Sequence, residues 1–198
     1  MILKFDHISF SCALQDKTDW LVEGYTQAFC EKELPNIEAK RRFLKQQAAM
    51  HDIALYHCED KYPIEITAYP VCVGHNTKYD IGDDVITVYS KNPEETIAFY
   101  RALGFKEDGM ALEIMPFMDQ KKVRLQVKEA ETGDVFLDKA GFGSLAFVVD
   151  KIERHQKQLE KQGYFVSDAD TLTVNGKLLK ICFASNQAGD IVELIGVR

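Results

Sequence analysis

The stretch Val85-Ile86-Thr87-Val88-Tyr89-Ser90, then Asn92-Pro93-Glu94-Glu95, then Ile97-Ala98-Phe99-Tyr100-Arg101-Ala102-Leu103-Gly104-Phe105 reads as strand, turn, helix, stop. β-Branched and aromatic residues bounded by polar turn residues predict the strand. Asn92 as cap, Pro93 at the first helical position and Glu95 in the first turn predict the helix, which Gly104 ends in the left-handed conformation.

The plan recurs near the C-terminus, where Ser144 to Val149 leads to Asp150 as cap, a helix from Lys151 and Gly163 as stop. Two copies at such a spacing are too few for a solenoid, so each reads as half of a compact sheet-and-helix domain. A more divergent copy precedes them. Residues 3–12 alternate, with Phe5, His7, Ser9 and Ser11 on one face. Helical segments are expected after Asp16, carrying Trp20, Leu21, Tyr25, Ala28 and Phe29, and again over Ile37, Leu44 and Ala48. Strands are expected at 51–58 and 63–69. The second copy should continue with strands at 111–115, 123–129 and 134–138. The third should continue at 171–174, across an Asn175-Gly176 hairpin to 178–184, and at 191–197. The expected organisation is a divergent first unit at 1–75, a linker at 76–84, a second unit at 85–140 and a third at 141–198, paired with the second.

These residues resemble the vicinal oxygen chelate superfamily of glyoxalases, bleomycin-resistance proteins and extradiol dioxygenases. The likeness covers roughly 80–198 and rests on the strand-Asn-Pro-helix run with Phe99-Tyr100 and Leu103-Gly104-Phe105. It rests also on Asn186-Gln187-Ala188-Gly189-Asp190-Ile191-Val192-Glu193-Leu194, similar to the family's closing turn and ligand strand. The resemblance implies an α+β fold of repeated βαβββ units, whose curled mixed sheets surround a pocket with helices outside. It also implies a metal site with one ligand from the first and one from the last strand of each of two paired units. In this sequence the first-strand slot holds His7, Val85 and Ser144, and the last-strand slot holds Glu65, Leu137 and Glu193.

Three pairings are open. The second and third units together offer Val85, Leu137, Ser144 and Glu193, which make no metal shell. The first unit facing its own copy in a second chain offers His7, Glu65 and their mates, and the first facing the third offers His7, Glu65 and Glu193. A His and carboxylate set suits Zn, Fe, Mn, Co or Ni. Glu65 shares a strand face with Thr67 and Tyr69, as a carboxylate lining a pocket would. His57 is a further candidate ligand, while His75 and His155 read as surface residues. A bound metal implies chelation of two adjacent substrate oxygens, with Glu65 or Glu193 moving a proton as a catalytic base. The function expected is a metal-dependent lyase, isomerase or dioxygenase acting on a small oxygenated molecule. The alternative is a metal-free binding protein of the bleomycin-resistance type, with Tyr89, Phe117 and Phe147 as candidate liners of a pocket between the second and third units.

Composition narrows the partners. At 198 residues and 46% apolar content the chain can bury a full core. A net charge of −7 with interspersed signs argues against nucleic acid. No apolar run approaches the ~18 residues of a membrane span. Five scattered cysteines without a C-x-x-C pair read as reduced, mostly buried thiols, and a cytoplasmic location follows. Because three units leave one unpaired, a homodimer is expected.

Overall fold

The computed structural model describes residues 1–19, 24–108, 111–119 and 121–196, with the backbone alone at 17–19. Three units share one strand order. In the first, β1 (Ile2–Ala13) runs parallel to β4 (Ile64–Tyr69), followed outward by β3 (Met50–His57) and β2 (Thr26–Pro35). The short α1 (Glu38–Arg41) lies between β2 and β3. In the second, β5 (Tyr79–Ile81) precedes β6 (Ile86–Ser90), α2 (Pro93–Ala102), β7 (Lys106–Asp108), β8 (Ala111–Ile114) and β9 (Val123–Glu129). There β6 is parallel to β9, with β8 and β7 beyond. The third comprises β10 (Gly141–Val149), α3 (Ile152–Lys161), β11 (Phe165–Val166), β12 (Asp170–Val174), β13 (Lys177–Ser185) and β14 (Ile191–Gly196), with β10 parallel to β14.

The local signals act as expected. Asn92 accepts the Glu95 N–H at 3.2 Å, and Gly104 sits at φ 107 just past α2. Asn175 and Gly176, at φ 48 and 71, make the tight turn between β12 and β13.

The pairing of units differs from the expectation that the third joins the second. Strand β1 hydrogen-bonds β10 antiparallel, so the first and third units form one continuous nine-stranded sheet and the second unit a separate five-stranded one. The physical reason lies at the edge of β6. In the other two units the first strand's free edge makes the cross-unit pair, but in the second β5 already covers it, through the register Tyr79–Val88 to Ile81–Ile86. The expected linker therefore holds the strand that blocks pairing.

Other expectations are corrected. Residues 26–35 form a strand rather than a helix, because Phe29 and Leu34 pack inward as the segment pairs with β3. Trp20 and Leu21 lie outside the described residues. Of the expected helix over 37–48, only α1 forms. Residues 134–138 form no strand. They leave the sheet so that Leu137 joins a cluster with Phe43, Tyr69 and Phe183, and Asp138 accepts the N–H groups of Lys45 and Gln46 at 2.7 and 2.5 Å.

The main core lies on the face of the large sheet turned to the second unit. Phe5, Ile8, Leu145, Phe147 and Leu194 meet Ile86, Phe99, Tyr100 and Leu125 of the second unit. Each large apolar side chain fully buried there contributes about 1.5–3 kcal/mol. Side chains of the second unit cover the core face of the first unit's sheet. Tyr62 ties the two by donating to Asp84 O at 3.1 Å and accepting the Arg124 N–H at 3.2 Å.

Candidate functional site

Pairing β1 with β10 brings together the concave faces of the first and third units. The residue pairs Ser9–Glu65 and Ala146–Glu193 occupy equivalent positions about the β1–β10 seam, which makes His7 and Ser144 equivalent as well. The four ligand slots of the paired units are thus His7, Glu65, Ser144 and Glu193. In the second unit the last strand is β9, and the register Thr87–Gln126 puts Gln126, not Leu137, in the last-strand slot.

His7, Glu65 and Glu193 meet inside a cavity of about 410 Å3. His7 Nε2 is 3.7 Å from Glu65 Oε1 and 4.0 Å from Glu193 Oε2. The other ring nitrogen, Nδ1, is 3.0 Å from Asp6 Oδ2. With its proton on Nδ1, the imidazole turns the Nε2 lone pair to the cavity, and this buried Nε2 has no hydrogen-bond partner. Thr67 donates to Glu65 Oε1 at 3.1 Å and orients it.

Without a metal the electrostatics are tightly coupled. Burial opposes the charge on His7, but Glu65, Asp6 and Glu193 together raise its pKa to about 9. Burial pushes Glu193 up to about 7 against the attraction of His7. Burial likewise works against the charge on Asp6, and His7 and Lys4 hold it down at about 2.

The donor types suit a divalent ion. Ligands about 2.0–2.2 Å from one ion can stand up to roughly 4 Å apart, so the His7–Glu65 and His7–Glu193 separations fall within reach. Among the described residues no group of three or more His, Cys, Asp or Glu side chains is drawn together as closely as an assembled metal shell.

The remaining candidates lie elsewhere. His57 stands exposed at the cavity mouth, two residues beyond the Leu55 that pairs with Glu65. His155 is buried, not superficial, with its ring 3.0 Å from the Met1 nitrogen. Phe147 is core and Phe117 is 72% exposed, so neither lines a pocket between the second and third units. None of the five cysteines forms a disulfide, and only Cys12 and Cys182 are buried.

The sequence reading passed over Lys40 and Asp6. Lys40 precedes Arg41 and Arg42 and looks like part of a solvated run, yet it lines the cavity beside the carboxylates. Apolar walls include Phe29, Leu55, Leu172, Leu179 and Phe183. The hairpin of β12 and β13 roofs the cup through Val174, which packs against Leu34 and Ile53. The Asn175 N–H donates to Glu31 at 2.6 Å across the same roof.

The architecture is that of paired βαβββ repeats curled around a shared cavity. A model of the Glyoxalase/Bleomycin resistance protein/Dioxygenase superfamily matches residues 84–184. The chain belongs to that superfamily. No curated protein matches the sequence. Methylmalonyl-CoA epimerase from Mycobacterium tuberculosis is similar in structure, with 12% identity, covering 100% of this chain and 89% of that one, at a TM-score of 0.47. Glyoxalase I from Zea mays is similar at 14% identity and a TM-score of 0.40, covering 97% of this chain and 67% of that one. A candidate dioxygenase from Bacillus subtilis has 9% identity, covers 98% of this chain and scores 0.43; this chain spans 63% of its length. Among the described residues no helix is long and apolar enough to cross a membrane.

Proposed function

We propose that the cavity between the first and third units is the active site of a vicinal oxygen chelate enzyme, a lyase, isomerase or dioxygenase acting on a small oxygenated molecule. His7, Glu65 and Glu193 would hold one divalent ion of Zn, Fe, Mn, Co or Ni. The observation that carries the reading is the buried, unpartnered His7 Nε2, flanked by two carboxylates at 3.7 and 4.0 Å. When bound, such an ion supplies a Lewis acid for two adjacent substrate oxygens. The protein's own groups do the rest. Asp6 sets the tautomer and orientation of His7. Glu193 and Glu65, both beside His7 in the cavity, are the two candidate bases for moving a substrate proton. The apolar walls exclude water from the reacting centre.

A second reading, a metal-free binding protein of the bleomycin-resistance type, is favoured by the weak ligand Ser144 in the fourth slot and by Lys40, whose ammonium already supplies a cation beside the carboxylates. Elemental analysis of the purified, untagged protein separates the two. Near-stoichiometric metal that is lost in His7→Ala, Glu65→Ala and Glu193→Ala supports the enzyme. Metal-free protein, or metal indifferent to all three, removes it and leaves the binding protein.

We further propose a cytoplasmic homodimer with no nucleic-acid partner. The absence of disulfides among the five cysteines and the charge of −7 support the location and the partner class. The unpaired second unit supports self-association, with Arg124 and Glu113 on its open face. A native mass equal to one chain would remove the dimer.

A further inference from the structure

We propose that His51 is a specificity-determining residue of the cavity, taking a neutral hydroxyl at the far end of an elongated, largely apolar ligand. This rests on the reading of the cavity as a ligand site, with or without a metal.

His51, Ile53, Leu55 and His57 alternate along β3 on the face that lines the cavity. His57 stands exposed at the mouth, whereas His51, at the other end of the row, is buried. Its ring is stacked on Tyr69 with the centroids 5.7 Å apart, and a hydrogen bond to the Leu34 backbone steadies it. Its Nδ1 is buried and has no hydrogen-bond partner among the described residues. A buried polar atom on a fixed ring in the wall of a cavity is a recognition point for a polar group.

The strand register sets where that group sits on the ligand. Leu55 pairs with Glu65, and His51 lies four residues further along β3, about 13 Å away at the usual rise of a strand. A ligand that starts at His7, Glu65 and Glu193 therefore passes Ile53, Leu55, Leu172 and Leu179 before it reaches the imidazole. Neither sign of charge suits that far end. The Lys40 ammonium acts on His51 and disfavours a cation there, while Glu65, Glu193 and Asp138 already outnumber Lys40 and disfavour an anion. Burial and the Lys40 charge push the His51 pKa down to about 2, so the ring is neutral. A hydroxyl is donor and acceptor at once and serves a neutral imidazole in either tautomer.

The test is titration calorimetry of the full chain with two pairs of probes. The terminal diol of octane, whose extended chain is of the required length, is compared with octanol, and the terminal diol of butane with butanol. Wild type is compared with His51→Leu and His51→Asn, with metal content and urea midpoint measured on the same batches. Wild type should bind the longer diol at least tenfold more tightly than octanol, with no such preference in the four-carbon pair, which is too short to span the cavity. His51→Leu should reverse the order, because an apolar end favours the mono-alcohol, and His51→Asn should retain the preference. Wild type that binds octanol as tightly as the diol overturns the proposal, since water then serves the imidazole. So does a preference that survives His51→Leu or appears equally in the four-carbon pair. Should His51→Leu fail to fold, the two chain lengths in wild type and His51→Asn decide alone. Binding of neither long probe removes the cavity as a ligand site and this inference with it. Metal-free wild type that keeps the preference removes the metal reading alone, and metal-loaded wild type without a preference removes this inference alone.

Discussion

Replacing Asp190 with Ala tests how the second unit is fastened to the paired sheet. Asp190 and Lys78 are both fully buried, with Nζ 3.0 Å from Oδ1. Thr96 and Asn186 donate to the other oxygen at 2.6 and 2.7 Å, and Lys78 also donates to Ala188 O at 3.0 Å. The segment before β5, helix α2 and the turn before β14 thus converge on one carboxylate. At an effective dielectric near 20, the attraction at this distance is roughly 5 kcal/mol, most of which offsets desolvation. Removing only Asp190 leaves a buried ammonium without its counter-charge, so the expected cost is about 3–5 kcal/mol. Against the ~5–15 kcal/mol of a typical domain, that is a large share. Urea unfolding of wild type, Asp190→Ala, Lys78→Met and the double variant measures it. The double variant should recover part of the loss, because the two single variants act on one pair. A loss below about 1 kcal/mol in Asp190→Ala, or full additivity in the double variant, would refute the fastening role.

Three further outcomes follow from the same structure. In metal-free protein the His7 pKa is raised from 6.5 to about 9, so its contribution to stability is complete below about 6.5 and is lost as pH rises through about 9. A urea midpoint that stays flat between pH 6.5 and 9, or that falls equally in His7→Gln, would contradict this. Gly141 sits at φ 98, and a Cβ there would lie 2.8 Å from the backbone oxygen of Asn76. Gly141→Ala should therefore cost about 2 kcal/mol or more, and a midpoint unchanged from wild type would mean that the 74–76 segment moves freely. Phe147→Ala opens a cavity at a fully buried position flanked by Phe5 and Phe105, with an expected cost of about 3–5 kcal/mol in the same unfolding assay; a loss under about 1 kcal/mol would show that the contact between the two sheets carries little stability.

Period, caps and turns were legible along the chain wherever a segment's environment depends on its own neighbours. Asn92, Gly104 and Asn175-Gly176 govern backbone conformation over four or five residues, and their elements formed where expected. The alternation around Glu65 put it on the same strand face as Thr67 and Tyr69, and the matching of first strands and of last strands put His7 and Glu193 in ligand slots before any partner was known. Where neighbours across the sheet decide, the sequence was silent. Residues 26–35 carry a helix-compatible pattern, but the hydrogen bonds to β3 make them a strand.

Which units pair was a tertiary decision, because every unit has the same strand order and hence the same free edge. Only the packing of β5 against β6 removes one edge from the contest and leaves β1 to find β10. That single choice brought His7, Glu65 and Glu193 into one cavity. It also gave Lys40, which no spacing distinguishes from its basic neighbours, a half-buried place beside two carboxylates. The types of residue and their strand positions came from the chain itself; their meeting came from long-range pairing, whose partners lie more than a hundred residues apart.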